Sequence, residues 1–252
     1  MSRTEAAPDA LTIRSCESHE DRAVCVELQR RIWNFDDIDL VSAAIFVVAQ
    51  HSGGHAYLAF HGENAAGFAL AFSGDRDRRR YLHSHMVGVV PEYQDRGVGR
   101  LLKLHQRQEA LRAGIPLIEW TFDPLELRNA HFNIARLGAI VRHYIPDFYG
   151  ESTSPLHGNF PTDRFVAEWQ LESGRVEAAL AGKSEPKAGA GVEEISIPSG
   201  IRELKKDDAG RAREIQAELR SRCTDLFARG YAVTGFRREP ERGVYVLERY
   251  ED

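Results

Sequence analysis

Cysteine is scarce in this chain. Its three copies, Cys16, Cys25 and Cys223, are odd in number and contain no Cys-x-x-Cys pair, which argues against a disulfide framework or a zinc ribbon and favours a reducing, cytoplasmic setting. Long apolar runs are missing too. No stretch approaches the roughly 20 residues that cross a membrane, and residues 1–10 lack the apolar core of an export signal and are read as a disordered N-terminus. Positive charge is not in excess. With 33 Lys and Arg against 38 Asp and Glu the net charge is -5, so no basic field points to nucleic acid or an anionic membrane as a partner. The 42% apolar composition of 252 residues suffices for one packed domain with an appendage.

Residues 81–100 are the stretch around which the rest is organised. The β-rich run 86–90 ends at Pro91, which has no N–H for a ladder, and a helical pattern begins near Gly97 with Val98, Leu101, Leu102 and His105 on one face. Gly97 and Gly99 carry no Cβ to block close approach, so the unpaired amides of a helix N-terminus can surround an anion there, with Arg96 and Arg100 adding charge. Two familiar phosphate loops are excluded by what the stretch lacks. A dinucleotide fingerprint needs a third glycine where Leu102 stands, and a Walker loop needs a Lys-Ser/Thr pair where Leu101 and Leu102 follow Arg100.

What is left, Gln-x-x-Gly-x-Gly over Gln94 to Gly99 after the Val-x-Val of Val87 and Val89, resembles the acyl-CoA pyrophosphate loop of the GNAT superfamily of N-acyltransferases. The resemblance implies an α/β fold with a mixed sheet over residues 11–172 and acetyl-CoA, or another short acyl-CoA, as co-substrate. It also implies transfer to the amine of a small molecule or amino acid by direct attack in a ternary complex. Carried over by position, Gln94, Asp95, Arg96, Gly97, Val98, Gly99 and Arg100 would hold the pyrophosphate, and the backbone of Val87, Gly88 and Val89 would pair with the pantetheine amides like an added strand. Asn129 resembles the family asparagine that touches the pantetheine arm, although it lies nearer to Leu137-Gly138 than the family pattern has it. Members of the superfamily often dimerise.

The family's tyrosine general acid is absent, since Ile134 stands four residues before Gly138; Tyr144 and Tyr149 are the nearest other donors in sequence. That absence suggests one alternative reading, a catalytically silent acyl-CoA sensor; a second alternative keeps the enzyme and changes the donor, giving a succinyl-CoA-dependent amino-acid acyltransferase. Attack by an amine needs a base, because only the neutral amine has a lone pair to offer. His83 and His85 are the candidates: period-two geometry puts both on one strand face, and imidazole titrates near working pH. A similar histidine pair precedes the glycine loop in arylalkylamine-acetylating members of the superfamily. Glu119 on the next strand is a third candidate, acting through water. A metal is set aside, because no adjacent segment supplies the third and fourth ligands that a His-x-His pair would need. The resemblance also implies an oxyanion donor among the backbone amides near Val87 or Gly88.

Around this centre the pattern predicts a strand at 11–14, helices at 19–33 and 41–50, antiparallel strands at 56–61 and 65–72, and the loop helix ending at Gly114. A strand at 117–122, a helix at 127–137 and strands at 139–144 and 163–171 follow. The charged run 75–80 reads as a solvated hairpin tip. The aromatic loop after Tyr144 suits an acceptor pocket or ordinary connecting chain. Small and polar residues mark 173–191 as a linker, and 192–252 reads as a β-α-β-β extension, too small to be stable alone and expected to dock on the core.

Overall fold

A computed structural model describes residues 11–150, 160–183, 189 and 191–251; the expected disordered N-terminus and much of the aromatic loop lie outside the described residues. The chain divides into two compact units, the division falling between Ile118 and Glu119.

The first unit is a meander with helices on both faces. β1 (Leu11–Ser15), β2 (His55–His61), β3 (Asn64–Arg76) and β4 (Arg79–Val89) follow one another in space as in sequence, each pairing antiparallel with the next. Between β1 and β2 run α1 (His19–Trp33) and α2 (Ala43–His51). Ser18 opens α1 with a reciprocal capping box to Asp21, and Asn34 closes it in a left-handed conformation. One sheet face packs Phe68, Leu70 and Val90 with Cys25, Leu28 and Phe46 of α1 and α2. The other packs Tyr57, Ala59 and Ala69 with Val98 and Leu102 of α3 (Val98–Arg112).

Two glycines set how tightly this unit closes. A Cβ on Gly67 would sit 2.5 Å from the carbonyl oxygen of Gly88, so only glycine lets the two chains approach there. Gly88 in turn makes room for Ile32 and Trp33 of α1, whose atoms would lie 2.8 and 3.0 Å from a Cβ.

The second unit has the strand order β5-β7-β6-β9-β10-β8, with β5 (Leu117–Phe122), β6 (Ile140–Ile145), β7 (Arg164–Gln170), β8 (Val192–Pro198), β9 (Tyr231–Arg238) and β10 (Arg242–Arg249). Its core is aromatic: Phe165 meets Phe122, Tyr144 and Tyr245 edge-on, and Trp169 donates its indole N–H to the Leu137 carbonyl at 2.7 Å. The helix expected at 127–137 is one α-turn, α4 (Leu127–Ala130), followed by a π-helical stretch His131–Arg136.

Two expectations need correction. Residues 173–191 are not linker throughout, because α5 (Gly174–Leu180) opens them. Ser173 caps α5 at Val176 N–H, and Val176 and Ala179 are buried against Gly138. The alanines that read as linker composition are strong helix formers once one face is covered. The extension also carries one helix more than expected, running β8, α6 (Ile201–Asp207), α7 (Ala209–Ala228), β9 and β10. It joins the sheet through antiparallel β6–β9 pairing, with Val141 opposite Val233.

Candidate functional site

β4 carries an extra residue at His85. Ser84 pairs with Ala71 and Met86 with Leu70, so adjacent residues of β3 face positions two apart on β4 and His85 is left without a partner in the ladder. Such a bulge re-aims a side chain. Here it presents an exposed His85 ring, edge-on to Phe72 at 5.4 Å between centroids and 6.2 Å from the ring of His83, which is itself opposite Phe72 in the register. The two histidines are therefore brought together on one face as expected from spacing, and the alternation is broken only between His85 and Met86. Both titrate below the usual imidazole value. For His83 the cause is first burial and then the charges of Lys103 and Arg76; for His85, which keeps an exposed surface but is crowded by the protein around its ring, it is first that desolvation and then His83. Each imidazole is thereby held neutral near working pH, the form that accepts a proton.

Behind the bulge, on the α3 face, lies a buried polar chain that sequence reading did not anticipate. Lys103 Nζ donates to Ser84 Oγ at 2.9 Å, Ser84 Oγ donates to Gln106 Oε1 at 3.1 Å, and Gln106 Nε2 donates to His55 Nε2 at 2.9 Å. Burial holds the Lys103 ammonium well below its ordinary pKa and, with the charge of Lys103, brings His55 down to about 3. Polar residues at i and i+3 on an otherwise amphipathic helix were the available signal, but nothing in sequence places Ser84 beneath them.

β4 ends at Val89, two residues before Pro91; Gln94, Asp95, Arg96 and Gly97 form the turn into α3, and Val98, Gly99 and Arg100 its first turn. Gln94 Nε2 donates to the Val89 carbonyl at 3.1 Å and pins the turn to the strand. Asp95 and Gly97 both take left-handed conformations, with φ of 60° and 82°. The Arg96 guanidinium lies 5.5 Å from the centre of the Tyr93 ring. No side chain caps α3 at Gly97; a Cβ there would meet nothing within 4 Å, and one on Gly99 only Val89 Cγ2 at 3.7 Å. The N-terminus of a helix, its dipole and the open space beside Gly97 are features that admit a phosphate, so the turn fits the pyrophosphate of an acyl-CoA. Val87 and Val89 point to the α3 face, while Gly88 faces α1.

Glu119 and Asn129 belong to the second unit. Glu119 is buried on β5, and Asn129 is exposed on α4. The two tyrosines noted as possible acids differ sharply. Tyr144 donates its hydroxyl to the buried Asp163 at 2.5 Å, and burial followed by that carboxylate pushes its pKa far up. Tyr149 is 46% exposed, and its hydroxyl is 3.3 Å from Thr121 Oγ1 of β5.

Residues 18–138 match the family model described as the acetyltransferase (GNAT) family. Among solved structures, the ribosomal-protein-S18-alanine N-acetyltransferase from Escherichia coli is 18% identical, with a TM-score of 0.53 over 66% of this chain and 96% of its own. The putative acetyltransferase yncA from Salmonella typhimurium, solved with its cofactor acetyl-CoA, is 21% identical, with a TM-score of 0.52 over 66% and 97%. A putative GNAT acetyltransferase from Desulfovibrio desulfuricans is 15% identical, with a TM-score of 0.51 over 64% and 99%. At these identities the likeness is one of fold. No curated protein matches the sequence.

Proposed function

We propose, from the premise that residues 18–138 are a GNAT acetyltransferase domain, that the protein transfers an acetyl group from acetyl-CoA to an amine by direct attack. The observation that carries this reading is the continuity of one structural stretch: the bulged β4 with its neutral histidines runs into an uncapped, glycine-bracketed turn at the N-terminus of α3. On this reading a base and an anion site share one strand and its continuation.

Acetyl-CoA supplies a thioester carbonyl open to attack by nitrogen. The turn residues Gln94 to Arg100 hold the pyrophosphate through their amides, and the backbone of Val87, Gly88 and Val89 aligns the pantetheine arm, with Asn129 as a further contact. An N–H of Val87 or Gly88 receives the charge that develops on the carbonyl oxygen. His85 takes the proton that the amine must lose, because its exposed ring can reach solvent and substrate alike. His83, neutral near working pH, lowers the pKa of His85 once it is itself protonated on the acid side, and Glu119 is the alternative base through water. A CoA thiol, with a pKa of about 8.5 by analogy with cysteine, needs little help to leave near neutral pH. Small amines and amino acids are the acceptors that this reading favours.

Thiol release from acetyl-CoA, followed against a panel of amines and amino acids in the wild type and His85→Ala, tests the proposal. Acceptor-dependent release that collapses in the variant, while CoA still raises the melting temperature, is the expected result. CoA binding with no turnover on any acceptor would instead identify a sensor, and no CoA binding would remove the reading altogether.

A further inference from the structure

The β3–β4 hairpin ends in a two-residue turn, Asp77-Arg78, with both residues left-handed at φ of 53° and 61°, and the register just inside it sorts charge by face. Asp75 pairs with Arg80, bringing opposite charges together on one face. On the other face Arg76 stands directly opposite Arg79, so two guanidinium groups share one rung. Like charges directly opposite are disfavoured in a sheet, and their placement concentrates positive potential.

That second face is the one the histidines use. Alternation carries it from Arg79 through Tyr81 to His83 on β4 and from Arg76 through Gly74 to Phe72 on β3. Gly74 has no side chain, and a Cβ there would fall 2.5 Å from Tyr81 Cζ, so the Tyr81 ring lies across the glycine. The Arg76 guanidinium stacks 4.8 Å above the centre of that ring, and Arg76 lowers the pKa of His83 through its charge. Tyr81 is two residues from His83, about 7 Å along a strand. A group held over Tyr81 is therefore one small molecule's length from the histidines.

We propose that Arg76 and Arg79 form a subsite for a substrate carboxylate on the His83–His85 face of the β3–β4 hairpin. The planar guanidinium fork matches a carboxylate in two parallel hydrogen bonds, and the stacked Tyr81 fixes the plane of one of them. The carboxylate belongs either to an amino-acid acceptor or to the far end of a dicarboxylic acyl donor such as succinyl-CoA. The assignment rests on the acyltransferase reading for the direction in which the substrate lies.

The test compares wild type with Arg76→Gln, Arg79→Gln and the turn control Arg78→Gln. Acetyl-CoA and succinyl-CoA are each paired with 2-phenylethylamine and with D- and L-phenylalanine, which differ from that amine by the carboxylate alone. A rise in KM of about tenfold for phenylalanine, with phenylethylamine unchanged, puts the carboxylate on the acceptor. A comparable rise for succinyl-CoA but not acetyl-CoA puts it on the donor. Equal effects on every pair, or none beyond those of Arg78→Gln, overturn the subsite. Thermal shift by succinate and by phenylalanine is measured in parallel. Stabilisation of the wild type that both glutamine variants lose supports the subsite even if no pair turns over, an outcome that would count against the transferase reading alone; no loss, or no stabilisation by either probe, overturns it.

Discussion

His55 receives a hydrogen bond from Gln106 at 2.9 Å and stands at the end of the chain of polar groups that begins at Lys103. Its proton balance makes a stability signature. Burial first, then the charges of Lys103 and His105, lower its pKa to about 3, against about 6.5 in an unfolded chain. Below the unfolded value the unfolded state binds a proton that the native state refuses, so stability falls as pH drops from about 6.5 towards 3, by up to about 1.4 kcal/mol per pH unit. Urea midpoints measured between pH 7 and 4 should show that slope, and His55→Gln should flatten it. An unchanged slope in the variant would mean that other groups carry it.

The base should leave its own mark on rate. Both His83 and His85 titrate below the usual imidazole value, so kcat/KM should hold constant through neutral pH and fall on an acid limb whose midpoint lies below about 6.5. His85→Ala should lose about 100-fold to 10,000-fold in kcat with little change in KM for acetyl-CoA. His83→Ala, by removing the charge that depresses His85, should move the acid limb upward rather than abolish turnover. Stopped assays across pH 5 to 8 separate the two roles.

Gly67→Ala should be damaging out of proportion to its size. The added methyl would lie 2.5 Å from the Gly88 carbonyl, an atom of the sheet backbone that cannot swing aside as a side chain would. Separation of β3 from β4 would follow at the site strand itself. A loss of about 1–3 kcal/mol is expected in chemical denaturation, with kcat falling before the fold is lost. Stability equal to wild type would show that the two strands have slack at this point.

How much of this was legible beforehand depends on whether the signal was local. Pro91, Gly97 and Gly99 announce the strand, turn and helix because each acts on its own backbone, and the Ser18–Asp21 capping box was readable for the same reason. The His83–His85 pairing was found from alternation, yet the bulge that aims His85 was not, since an extra residue has no signature until β3 lies alongside. Arg76 and Arg79 looked like part of a solvated tip; only the register shows them on one rung and on the histidine face. The same holds for Ser84, an unremarkable strand serine until Lys103 and Gln106 close over it. Helix α5 was missed because alanine and glycine between two loops read as linker, and the burial of Val176 and Ala179 that makes them helical is tertiary.

The two tyrosines give a final contrast, within the second unit. Tyr144 donates to a carboxylate that is 0% exposed and is already held by Arg220, with Arg220 Nη2 2.7 Å from Asp163 Oδ1, and its proton is bound too firmly for it to serve as an acid. Tyr144→Phe should therefore act on stability, costing about 1–3 kcal/mol through the loss of one of the two donors to Asp163 Oδ2, the other being Arg220 Nε at 3.0 Å, and leave kcat near wild type once the protein is folded. Tyr149 is placed differently. Its hydroxyl is accessible beside Thr121 on β5, and the Arg164 guanidinium lies 5.1 Å from its ring centre. If Tyr149 protonates the departing thiolate, Tyr149→Phe should leave the melting temperature within about 1 °C of wild type, a surface-type change, while lowering kcat about tenfold or more, most strongly above pH 8, where solvent protons are scarce. A full kcat in Tyr149→Phe at every pH would show that the thiolate leaves unassisted.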